Sequence, residues 1–138
     1  MNSVSQLLAT HPKATANEAV VRCIEECLAC AFACTSCADA DLAEEDVGEL
    51  ARCIRLDLDC ADVCDATRRV LTRQTSFEPL LPRSLVETCA LACRLCAEEC
   101  ERHADHHEHC RICAEVCRRC EQACNDLLRS IGDLKADA

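Results

Sequence analysis

Seventeen of the 138 residues are cysteine, and their spacing is not random. Cys23, Cys27, Cys30, Cys34 and Cys37 step by 4-3-4-3, Cys89, Cys93, Cys96 and Cys100 by 4-3-4, and Cys110, Cys113, Cys117, Cys120 and Cys124 by 3-4-3-4. A further group, Cys53, Cys60 and Cys64, keeps the same pattern with Asp57 in the intervening place. Alternating steps of three and four hold successive side chains on one face of a helix. The unit C-x3-C-x2-C-x3-C occurs three times, at 23–34, 89–100 and 113–124, as an internal repeat.

Thiols three or four apart on a helix can share a metal ion, and thiols from a facing helix can join them. Soft thiolate donors select copper(I), zinc or iron–sulfur clusters over magnesium and calcium. Zinc takes four ligands in discrete tetrahedral sites, and four thiolates leave each such site with a charge of minus two in a dry interior. Iron–sulfur ferredoxins set their cysteines in wrapping loops with a following proline, and no cysteine here precedes proline. Copper(I) accepts two or three sulfurs, and bridging thiolates keep the interior near neutral, so continuous stripes point to many Cu(I) ions per chain. Zinc or iron–sulfur binding and thiol redox buffering are the competing readings, although helix-bound thiols are poorly placed for disulfide geometry. A purely structural role fails on number, because a core of such small side chains buries less apolar surface than a leucine core. No isolated nucleophile–base set stands apart from the stripes, so no enzyme is expected.

Helices must carry these stripes, and the composition supplies them. Only 2 Gly and 3 Pro leave the backbone few places to turn, and just two aromatics, Phe32 and Phe77, are present to fill a core. The expected fold is all-α: an up-down-up-down four-helix bundle with a short N-terminal helix. Residues 1–14 read as that helix and a linker, and 15–138 as the bundle. Capping-box pairs at Thr15–Glu18, Ser84–Glu87 and Asp105–Glu108 mark three helix starts. The acidic segment 40–46 reads as the first turn, 72–83 with Pro79 and Pro82 as the longest connection, and Ile131 before Gly132 as the end of the last helix. Cysteine takes the seam where a bundle normally places Leu or Ile, with Ile54, Leu56, Val63 and Val70 on its flanks. Helical geometry puts Val21, Leu28 and Phe32, and also Leu91 and Leu95, on outward faces. Cover by Val4, Leu7 and Leu8 of the short helix, or by another subunit, would account for them.

The net charge of −10 disfavours nucleic acid and anionic membranes as partners. Residues 1–15 hold no basic cluster followed by an apolar run, and no stretch approaches membrane-spanning length, so a cytoplasmic protein with reduced thiols is expected.

These features together resemble the cytosolic copper storage proteins, cysteine-rich four-helix bundles that hold copper(I) inside. The resemblance spans about residues 15–131 and is most marked at 23–30 and 103–110. It implies a homotetramer of bundles; a copper chaperone or a low-molecular-weight copper ligand is the kind of exchange partner that such a store calls for. The turns near 42 and 104 share one end of such a bundle, the expected mouth for copper. His103 continues the third stripe three residues after Cys100. Helical geometry alone prefers His106 as the fourth-helix partner, four residues before Cys110, while His107 fits an extended third-helix stripe. The family pattern points instead to His103, His107 and Asp57 as ligands near the mouth. His11 and His109 lie off the stripes and read as surface histidines.

Overall fold

The computed structural model describes residues 3–14 and 17–136, with side chains as far as Ile131. Among the described residues five α-helices follow one another: α1 (Ser3–Thr10), α2 (Glu18–Leu42), α3 (Ala51–Thr72), α4 (Leu80–His103) and α5 (Glu108–Ala136). A 3-10 turn, Val47–Leu50, leads into α3. No strand occurs among the described residues. The four long helices pack side by side in the order α2, α3, α4, α5 and back to α2, each antiparallel to its chain neighbour, which is the up-down-up-down bundle.

The helix starts are set by residues other than the expected boxes. Thr15 lies outside the described residues. Asn17 caps α2, its side-chain oxygen accepting from the backbone N–H of Val20 at 3.1 Å. Ser84 lies one turn inside α4, where its carbonyl accepts from the Thr88 hydroxyl. That helix begins earlier because Pro79 and Pro82 fall in and just before its first turn, where missing N–H groups cost no hydrogen bond. Glu78 Oε1 accepts from the free N–H of Leu80 at 2.9 Å. Asp105 belongs to the turn before α5, and His107 occupies the cap position, its carbonyl accepting from Arg111 N. α5 continues through Gly132 to Ala136.

The first turn is shorter than expected. α2 runs to Leu42, so Asp41 is a helical residue, fully buried, four positions beyond Cys37 on the same stripe. At the opposite end the stripes continue as Thr67 and Leu71 on α3, Val86 on α4 and Leu127 on α5, all at most 1% exposed. These residues plug that end with apolar surface. α1 packs against α2, with Leu8 buried and Val4 and Val21 each partly buried against the core. It does not reach the outward ridge further along: Leu28 and Phe32 stay exposed, Phe32 at 77%, and Leu7 and Leu91 are exposed as well.

Candidate metal centre

All 17 cysteines point inward as free thiols, none more than 2% exposed. The bundle core is therefore a column of sulfur, flanked by apolar packing and continued at one end by apolar side chains. Sulfurs from different helices approach to 3.5–3.9 Å, as in Cys34–Cys117 at 3.5 Å, Cys27–Cys89 at 3.8 Å and Cys53–Cys100 at 3.7 Å. These distances are far beyond a disulfide bond and close enough for two sulfurs to flank one ion.

Donor groups able to hold an ion stack along the column and share members. From the plugged end they are Cys27, Cys89, Cys120 and Cys124; then Cys30, Cys64, Cys93 and Cys120; then Cys30, Cys34, Cys60 and Cys117; then Cys34, Cys96, Cys113 and Cys117. The next is Cys37, Asp57, Cys100 and Cys113. Cys120, Cys30, Cys34, Cys117 and Cys113 each serve at least two groups. Cys23 extends the column past Cys124 at 3.8 Å, and Cys53 and Cys110 extend it towards the first turn.

Asp57 interrupts the thiols one layer below that turn and is wholly buried. Its Oδ1 accepts from Cys96 at 3.0 Å, Cys113 at 3.4 Å and Cys100 at 3.6 Å, and Oδ2 lies 3.9 Å from Cys53. Burial, then the charge of Cys113, pushes its carboxyl up to about 8. The thiols divide their protons unevenly. Hydrogen bonding from Cys100 holds Cys113 well below the usual thiol range, and the same contact holds Cys100 well above it. Cys23 is drawn down to about 5 by its hydrogen bond with Cys124.

His103, His106, His107 and His109 gather at the end with the turns 43–46 and 104–107. His103 Nε2 pairs with Glu99 Oε2 at 2.9 Å, and Glu99 is itself buried beside Arg52. His107 is held by two carboxylates, Nδ1 to Glu44 at 2.7 Å and Nε2 to Asp46 at 3.0 Å. The hydrogen bond to Asp46 raises its pKa. His106 is exposed, and His11 lies near the far end, accepting from Lys13 N. Among the described residues only His109 brings a ring nitrogen against thiols, Nδ1 lying 3.4 Å from Cys37 Sγ and 3.7 Å from Cys110 Sγ. It is not the surface histidine its off-stripe position implies. Side chains lean towards the N-terminus of their helix, and at the start of α5 that carries the ring back over the column. Asp41 was missed in the sequence as well, and its place four residues after Cys37 is the signal that could have found it.

A helical bundle whose interior is a ladder of shared thiols is a soft-metal store. The chain belongs to the copper storage protein family, whose model matches residues 16–129. It resembles the copper storage protein Ccsp of Streptomyces lividans loaded with 10 copper equivalents, at 53% identity and a TM-score of 0.87, covering 92% of this chain and 98% of that one. A cytosolic copper storage protein from Streptomyces lividans, with five coppers, matches at 58% identity and a TM-score of 0.80, over 81% and 93% of the two chains. The Cu(I)-bound copper storage protein BsCsp3 matches at 36% identity and 0.67, over 75% and 92%. The chain is thus a store of copper(I) on cysteine clusters and not an enzyme. No described helix is long and apolar enough to cross a membrane.

Proposed function

We propose that the chain keeps a cytoplasmic reserve of Cu(I), many ions per chain, on its 17 cysteines and Asp57, filled and emptied through the end that carries the histidines. The observation that carries this reading is the sharing of sulfurs between successive donor groups. A sulfur counted in two groups must bridge if both are filled, and bridging thiolates let the ion count approach the sulfur count with little net charge. Discrete zinc sites would need private sets of four thiolates, which the column does not offer in that number. The plugged end, closed by Leu71, Val86 and Leu127, leaves the polar end as the route for ions.

His103 and His107 stand at that route as transfer ligands. Neutral imidazole binds copper(I) less stubbornly than paired thiolates, and each ring is oriented by an acidic partner it would exchange for copper. The acidic turn, Glu44 to Asp46, adds a cation-attracting charge that salt screens. Oligomerisation into a tetramer fits the uncovered Leu28 and Phe32. The test is the kinetics of a His103→Ala, His107→Ala double variant. Uptake and release rates should change while capacity falls by only a few ions. Unaltered rates, with first occupancy at the Pro79 end in crystals, would contradict this placement of the mouth.

A further inference from the structure

Four side chains at the lip of the column differ from the stacked thiol groups below. Cys37 and Cys110 bring two sulfurs to 3.8 Å. His109 Nδ1 lies 3.4 Å from the first and 3.7 Å from the second. Asp41 Oδ1 lies 3.6 Å from Cys110 Sγ and 3.7 Å from His109 Nδ1. A tetrahedral ion with bonds of about 2.3 Å to sulfur and about 2.0–2.2 Å to nitrogen and oxygen holds its donors about 3.3–3.8 Å apart. The five separations fall in that range without rearrangement of the helices.

Two further features point to a ligand. Asp41 is completely buried, yet its Oδ2 has no hydrogen-bond partner. A buried carboxylate oxygen left bare costs free energy that a cation would recover. His109 Nε2 lies 2.9 Å from Glu44 Oε2, which fixes its proton on Nε2 and leaves the Nδ1 lone pair facing the sulfurs and Asp41. A carboxylate behind the distal ring nitrogen is the usual support for a metal-bound histidine.

The donor set decides the ion. Copper(I) gains little from a hard carboxylate, whereas a borderline divalent ion accepts two thiolates, an imidazole and a carboxylate together. Such a site carries a net charge of minus one, against minus two for four thiolates in the dry column, and so costs less to bury. We infer that the copper-free protein holds one Zn(II)-class divalent ion at its mouth, on Cys37, Cys110, His109 and Asp41, and that copper loading expels it. Binding releases the two thiol protons to solvent, and the arriving Cu(I) ions take over the same two thiolates as the divalent ion leaves. The ion thereby closes the column when copper is scarce. The inference rests on the reading of this end as the copper mouth.

The experiment is an anaerobic titration of the reduced, copper-free full chain with Co(II), followed by displacement with Zn(II). The first equivalent should give a tetrahedral cobalt spectrum with the charge-transfer intensity of two thiolates. Its affinity should fall at least tenfold in Asp41→Asn and in His109→Gln, both checked for helicity, and not in His11→Gln. The wild-type spectrum decides the matter even if a variant misfolds. A first equivalent with four-thiolate intensity, no tetrahedral binding, or unchanged affinity in both folded variants overturns the inference. Copper capacity measured on the same preparation separates the two claims: a low count would contradict storage itself, while a full count with four-thiolate cobalt would overturn only the divalent site.

Discussion

A carboxyl group buried among thiols makes Asp57 the side chain whose chemistry departs most from its position in the sequence. Its pKa near 8 lies above that of a free aspartate, so the folded, copper-free protein holds a proton there that the unfolded chain has lost. The stability tied to that proton is fully present below about pH 4 and is lost as pH rises through about 8. Urea unfolding of copper-free Asp57→Asn and the native chain between pH 5 and 7.5 should show the native chain losing about 1 kcal/mol more per pH unit. Parallel slopes would mean that Asp57 is ionised in the fold. Every cysteine ligand candidate was visible in the sequence, because a single period placed them all on inward faces. Asp41 and His109 were not. Asp41 hid in an acidic run that reads as a turn, and His109 is one residue off the stripe, reaching the column only by leaning back from the first turn of α5. Side-chain lean at a helix end is not a property of periodicity.

The helices differ in what holds their two ends. One end of the bundle closes on Leu71, Val86 and Leu127, and the other on Asp41, His107 and His109 with their acidic partners. The sulfur column between contributes modest apolar burial, so the plug should carry a disproportionate share of the metal-free stability. Leu127→Ala should lower that stability by about 2–5 kcal/mol while leaving copper capacity unchanged. Thermal unfolding of the copper-free chain followed by circular dichroism checks both this and the helicity of the empty bundle. A change below about 0.5 kcal/mol, or a random-coil spectrum before loading, would contradict the assignment of the plug. Helix number, order and inward faces were legible from the cysteine stripes. The starts were not, since Asn17 competes with Thr15 and a proline-led first turn competes with Ser84. A capping box identifies a side chain able to cap, and the chain uses whichever candidate the packing of the helix admits.

For the molecule as a whole, charge and exposure set the terms of assembly. A net charge of −10 keeps single bundles apart, while Phe32 at 77% exposure and Leu28 beside it on α2 form an uncovered apolar ridge. α1 packs against α2 yet leaves the ridge uncovered. If tetramers form through this face, Phe32→Glu should convert the sedimenting species to smaller ones at micromolar concentration without loss of helicity. A native chain that already sediments as a monomer would rule the tetramer out. The architecture itself was readable because so few glycines and prolines leave little besides long helices, but the reach of α1 depends on the length of the linker and not on its apolar pattern. The central claim is that the sulfur column works as one shared store. It is tested most directly by anaerobic titration of the reduced chain with Cu(I) against a competing chelator, followed by elemental analysis of the filled protein. Bridging thiolates predict copper on the order of one ion per cysteine, and saturation at one or two tightly bound ions, or retention of about four zinc ions in preference to copper(I), would contradict it.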